Sequence, residues 1–239
     1  MAIDKAHLSE HISTQFNTEI ESIRERVLAM GGLVEENLNN ALTALINSDA
    51  ELGEQVAKSD YMVNAAEVSI DEECNLILAR RQPAATDLRL IVAIIKTITD
   101  LERIGDETKK IAKMAAKLAE QDRPSNGFRE VQHLGETVQR MVHNALDSFA
   151  RMDAKAAVEV VQSDMEVDRE YEAVIRQCIT FMMEEPRTIR RVMDMIWAVR
   201  SMERIGDHAA NLSEYVIYFV EGKDVRHTKA EELPKKLFD

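Results

Sequence analysis

Apolar residues recur along this chain in steps of three and four. Ile20, Ile23, Val27, Met30, Val34, Leu38, Leu42 and Leu45 form one run, and Val138, Met141, Val142, Ala145, Leu146 and Phe149 form another. That spacing returns to one side of an α-helix at every turn, so each run predicts a long amphipathic helix with a buried stripe. Breaks fall at Pro83, Pro124, Pro186 and Pro234, because proline cannot continue a helix interior and biases the residue before it away from helix. Asp49 and Asp153, at equivalent places after polar residues, read as N-caps of second helices, and Thr86 and Thr188, just past prolines, as caps of third helices. The stretch Asp122-Arg123-Pro124-Ser125-Asn126-Gly127 is rich in loop formers and divides the chain near its middle. Helices are therefore expected near 12–48, 51–81 and 86–119, then near 127–152, 154–184 and 187–221. Short connections between long helices make antiparallel neighbours the simplest packing.

The two halves are copies. Leu101-Glu102-Arg103-Ile104-Gly105-Asp106 recurs as Met202-Glu203-Arg204-Ile205-Gly206-Asp207. The correspondence extends in order: Met30-Gly31 matches Leu134-Gly135, Asn40-Ala41-Leu42 matches Asn144-Ala145-Leu146, and Ser59-Asp60 matches Ser163-Asp164. Cys74 falls opposite Cys178 and Pro83 opposite Pro186. A match that long indicates duplication of a whole unit. The expected fold is all-α, two tandem three-helix bundles related by internal duplication, residues 1–121 forming the first and 122–239 the second with a short C-terminal tail.

Composition supports this picture. Only 5% of residues are aromatic, and 8 Gly and 4 Pro are too few for the turns of a sandwich or barrel. The formal charge of -13 and the lack of a long basic stripe argue against a nucleic-acid partner. Met1 to Phe16 has no charged-then-apolar signal pattern, and the most apolar run, Leu88 to Ile98, is broken by Arg89 and Lys96. No transmembrane segment is expected. Two cysteines supply no disulfide framework, and both read as core thiols on apolar helices. A cytoplasmic location follows as the expectation.

The candidate chemistry lies in paired acids. Glu102 and Asp106 are four residues apart, as are Glu203 and Asp207. Four-residue spacing puts both carboxylates on one helix face, with Cβ atoms roughly 5–6 Å apart and a mutual repulsion of about 0.2–0.5 kcal/mol. A cation between them reverses the sign. The second helices offer partners at the same spacing, Asp164 with Asp168 and, in the first unit, Asp60 with Asn64. One pair from each of two adjacent helices can present up to eight oxygens. Hard divalent ions favour such donors, and bridging carboxylates can hold several transition-metal ions. Asn64 carries no charge, so the first site should hold metal less strongly.

Acid pairs also arise without function in a chain with 43 Asp and Glu. Glu21 with Glu25, Glu67 with Asp71, Glu166 with Glu170 and Asp168 with Glu172 share the spacing, and a solvated face is their ordinary meaning. The selected pairs differ in recurring at matched positions. Gly105 and Gly206 recur with them. A helix-interior glycine costs about 1 kcal/mol relative to alanine, so a repeated one points to close approach by a neighbouring helix or by bound ions. Arg103 and Arg204 are read as surface ion-pair formers with a second possible role behind the acids. His208 adjoins Asp207 as a candidate extension of the second site. Glu130-Val131-Gln132-His133 has the Glu-x-x-His spacing of di-iron bundles, but those need two copies; its histidine reads as a surface residue.

Arg81-Gln82-Pro83-Ala84, Thr86-Asp87-Leu88-Arg89, and Asp100 to Asp106 closely resemble the PhoU family. Met202 to Asp207 with His208-Ala209-Ala210-Asn211-Leu212-Ser213-Glu214 looks like that family's second repeat, and Asp224-Val225-Arg226-His227 like its proteobacterial members. The resemblance runs from about Phe16 to Leu233. It implies two related three-helix bundles, often a homodimer, with multinuclear metal clusters on acid-x-x-x-Asp motifs. Those motifs match Glu102/Asp106, Glu203/Asp207 and Asp164/Asp168 here, while Asn64 departs from the acidic form. Zn, Fe, Mn or Mg are the metals that fit. The resemblance further implies a non-enzymatic regulator of phosphate uptake that keeps the phosphate-starvation response off. It would link the ATPase subunit of the phosphate ABC transporter to a sensor histidine kinase, peripheral to the inner membrane through these partners. The rival class is a metal-dependent helical-bundle enzyme, a di-iron oxidase or a phosphohydrolase. An oxidase lacks the paired Glu-x-x-His set here, and a hydrolase needs an open metal position with a nearby acid or base.

Overall fold

The computed structural model describes residues 5–81, 83, 85–121 and 129–238. The loop expected at 122–127 lies outside them. Among the described residues the first unit contains α1 (Lys5–Asn47), α2 (Ala50–Ser59), α3 (Tyr61–Arg81) and α4 (Ala85–Ala119), and the second α5 (Arg129–Arg151), α6 (Ala154–Glu184) and α7 (Ile189–Glu221). A short helix, α8 (Leu233–Phe238), closes the chain.

Every member of the two apolar runs that opened the sequence reading is buried. The core they build is continuous through both units and takes in Cys74 and Cys178. Burial pushes the Cys74 thiol up to about 12 and Cys178 to about 11, so both are protonated core groups at neutral pH.

The expected N-caps are in place. Asp49 Oδ1 accepts from Leu52 N–H at 3.0 Å, and Asp153 Oδ1 from the N–H groups of Lys155 and Ala156 at 2.9 and 3.1 Å. Just before each cap the chain takes the same turn: Ser48 and Met152 are left-handed, with φ of 54° and 52°. The threonine caps do not hold. Thr86 lies inside α4, and the Thr188 hydroxyl donates back to Glu185 O at 2.7 Å, leaving no side-chain cap on α7. Nor is 51–81 one helix. At Asp60 the turn tightens, with Val63 N–H bonded to Asp60 O at 3.0 Å and Asn64 N–H to the same oxygen at 3.3 Å. Asp60 stays in the right-handed region while the ladder is interrupted there.

The units meet along two antiparallel helix pairs. On one side α1 crosses α5 through reciprocal notches: a methyl on Gly31 would come within 2.6 Å of Leu146 Cδ2, and one on Gly135 within 3.0 Å of Leu42 Cδ2. On the other side α4 runs against α7. Asp100 Oδ1 lies 2.7 Å from His208 Nδ1, and Ser201 Oγ donates to Glu107 Oε2 at 2.9 Å. These two contacts exchange places under the duplication, because Asp100 corresponds to Ser201 and Glu107 to His208. The seam is thus a local two-fold within one chain, with its acids satisfied across the interface. That matters because a buried carboxylate without a partner is costly.

Candidate metal centre

Each acid pair of a third helix faces the second helix of its own unit, and the glycine between the acids sets the approach. A methyl on Gly105 would lie 3.3 Å from Val63 Cγ1 and 3.5 Å from Asp60 Oδ1; on Gly206 it would lie 3.1 Å from Val167 Cγ1 and 3.4 Å from Asp164 Oδ1. The repeated glycine admits close approach of the neighbouring helix, which brings an aspartate oxygen against the acid-bearing face in both units.

In the second unit all four predicted residues act on one another. Burial raises the Asp164 carboxyl to about 7, helped by the charges of Asp207, Asp168, Glu203 and Glu214. Glu203 is raised by burial and then chiefly by Asp207, and Asp207 by burial and then by Asp168. A cleft of about 470 Å³ opens here, lined by Asp164, Asp207 and Glu214 and bordered by Thr228 and Ala230 of the C-terminal segment. Glu214 itself is raised to about 7, first by burial and then by Asp224. Sequence reasoning missed Glu214, although it lies two turns beyond Asp207 on the same face.

The first unit is arranged similarly and satisfied differently. Glu102 is raised by burial and then by Asp106, Glu67 and Asp60, so three of the four predicted positions plus Glu67 share one environment. Asp60 is buried, and its Oδ2 accepts from Lys109 Nζ at 2.8 Å. Its other oxygen and the side-chain oxygen of Asn64 are buried with no hydrogen-bond partner. Glu67, whose spacing had classed it with the solvated pairs, belongs to this gap, and nothing in the spacing of residues singled out Lys109.

His208 lines the second cleft beside Asp207, and its Nδ1 is committed to Asp100 across the seam. Arg204 also crosses, pairing with Glu107 Oε1 at 3.0 Å. His133 is exposed and pairs with Glu170 at 3.0 Å, away from both gaps.

Among the described residues no three His, Cys, Asp or Glu side chains form a ready coordination set. The donor chemistry nonetheless fits a hard cation. Buried oxygens without partners, and carboxyls that resist ionising because their neighbours are also acids, are both relieved by positive charge.

These features define a class: a duplicated helical bundle in which each half sets an acid pair against an aspartate of the neighbouring helix. The PhoU domain model matches the chain twice, over residues 27–115 and 131–216. A phosphate-specific transport system accessory protein PhoU homolog from Pseudomonas aeruginosa is 56% identical over 225 residues, 94% of this chain and 93% of that protein. The phosphate-specific transport system accessory protein PhoU of Escherichia coli is 47% identical, covering 98% and 97%. Among solved structures, the crystal structure of PhoU from Pseudomonas aeruginosa has a TM-score of 0.85 at 55% identity, covering 87% of this chain and all of that one. The phosphate transport system regulatory protein PhoU from Streptococcus pneumoniae has a TM-score of 0.82 at 27% identity, covering 88% and 99%. The chain belongs to the PhoU family. These relatives carry accessory or regulatory names, and none of those names is that of an enzyme. No helix among the described residues is long and apolar enough to cross a membrane.

Proposed function

We propose that this protein regulates phosphate uptake and represses the phosphate-starvation response as a metal-binding adaptor. It would stand between the ATPase subunit of the phosphate ABC transporter and its sensor histidine kinase, working in the cytoplasm at the inner membrane as a homodimer. The regulatory part is supported by the names of relatives that match along nearly their whole length. The metal-binding part is carried by one observation: both units press an aspartate oxygen onto the glycine between two acids.

Glu203, Asp207, Asp164 and Asp168 would hold divalent ions in the second unit, and Asp60, Asn64, Glu102 and Asp106 in the first. A bound cation supplies positive charge that offsets carboxylate repulsion. The chain's own residues then do the rest. Gly105 and Gly206 let the helices approach, Val63 and Val167 set their separation, and the Asp100–His208 and Glu107–Ser201 contacts pass a change in one unit to the other. Switching of this kind requires partners whose affinities differ between two arrangements.

Deleting the gene should raise phosphate-starvation reporter expression in phosphate-rich medium, and co-purification should recover the transporter ATPase and the kinase. Unchanged reporter expression would refute the regulatory role. Metal content after chelator-free purification, compared between wild type and Glu203→Ala/Asp207→Ala, tests the site separately.

A further inference from the structure

The duplicated gaps differ in what neutralises them. Continuing the alignment of Asp106 with Asp207 along the same uninterrupted helices, Lys109 corresponds to Ala210 and Lys113 to Glu214. In the first unit the Lys109 ammonium reaches Asp60 at 2.8 Å, and Asp106 and Glu102 are the other acids acting on it. In the second unit the corresponding position is a buried methyl, and one turn beyond stands a further carboxylate lining the cleft. The first gap therefore sets Lys109 among Asp60, Glu102 and Asp106, with Glu67 alongside. The second gathers Asp164, Asp168, Glu203, Asp207 and Glu214; Arg204 borders this cleft and bears on Glu203 and Asp207, but its ion pair is with Glu107 across the seam, not with an acid of the gap.

From this difference we propose that Lys109 is a built-in cation of the first unit. It occupies part of the place a divalent ion would take, so exogenous metal goes first to the second unit. The assignment rests on the metal reading above and refines it. An ammonium is a compact point charge on a flexible stem and competes directly with a divalent ion for carboxylate oxygens. It meets the demand incompletely, since Asp60, only 4% exposed, keeps Oδ1 without a partner beside the equally unpartnered oxygen of Asn64. On the metal reading, those oxygens would turn with Glu102 and Asp106 toward a larger charge. Asn64 lowers the charge of this set by one, and Lys109 lowers it by one more. The two substitutions act in the same direction.

The test is calorimetric titration of chelator-stripped, full-length protein with Mn²⁺. Wild type should show one tight class that Glu203→Ala/Asp207→Ala removes, and a first-unit class at least tenfold weaker. Lys109→Met should strengthen the weak class at least tenfold, leaving the tight one unchanged. Lys109 is a third exposed, so methionine is tolerated there, and a thermal melt confirms folding. The reverse change, Ala210→Lys, should weaken the tight class at least tenfold. Titrations of Lys109→Met that superimpose on wild type, or two classes of equal affinity in wild type, would overturn the role of Lys109 and leave the metal reading standing. No Mn²⁺ binding in any variant would overturn both.

Discussion

Replacing Asp164 by asparagine should make the metal-free protein more stable at alkaline pH. Asp164 sits between α6 and α7, with Asp168 on its own helix and Glu203, Asp207 and Glu214 facing it from α7. Burial and those charges raise its carboxyl from 3.8 to about 7. A group whose folded value is raised favours folding while it is protonated. That contribution is complete below the unfolded value and is lost as pH rises through the folded one. The loss accumulates from about pH 4 to about pH 7 and is constant above. At about 1.36 kcal/mol per unit, the full shift corresponds to ~4 kcal/mol; Asp164 is part-exposed, and screening by solvent reduces this to about 1–2 kcal/mol. Asparagine keeps the shape against Gly206 and removes the charge. Urea unfolding in EDTA should therefore give curves for wild type and Asp164→Asn that nearly coincide at pH 4.5. At pH 8 the variant should be the more stable by about 1–2 kcal/mol. Saturating Mn²⁺ should reverse the order, since wild type then gains the larger binding energy. An Asp164→Asn protein less stable than wild type at pH 8 in EDTA, or a difference independent of pH, would refute the electrostatic account.

Other outcomes follow from the packing. Gly32 has open space around it while Gly53 has the Ala112 carbonyl oxygen 2.7 Å from where a methyl would go, so chemical denaturation should find Gly32→Ala stabilising by about 1 kcal/mol. Gly53→Ala should instead destabilise by about 1–3 kcal/mol. Asp100→Ala strands the buried His208 ring and should cost about 1–3 kcal/mol by the same assay; His208→Ala in that background should cost much less than in wild type. Asp153→Ala removes two cap bonds and should cost about 1 kcal/mol.

The fold was legible because its signals are local and repeated. The stripe from Ile20 to Leu45, the caps at Asp49 and Asp153, and the doubled hexapeptide each need only a few neighbouring residues to be read. Duplication also singled out the acid pairs from equally spaced ones. What escaped depends on partners distant in sequence. His208 lies beside Asp207 in the chain, but its hydrogen-bond partner Asp100 is 108 residues away, so proximity could not reveal its role in the seam. Lys109 looks like any lysine on a charged helix until Asp60, 49 residues earlier, is brought under it. Glu67 and Glu214 were discounted or passed over because a four-residue rule does not see residues that join a gap from another turn. The break at Asp60 left no trace in composition, because a tightened turn needs neither glycine nor proline. Past α7 the chain buries Val225, Leu233 and Leu237 against the core, three residues too sparse to register as a helical stripe.

The central claim is that facing helices in the second unit place Asp164, Asp168, Glu203 and Asp207 around a common cation position. Anomalous diffraction from crystals soaked in Mn²⁺ tests it directly. The account predicts a peak between α6 and α7 bounded by those carboxylates and absent in Glu203→Ala/Asp207→Ala. Manganese found only at other surface positions, with none in that gap, would contradict it.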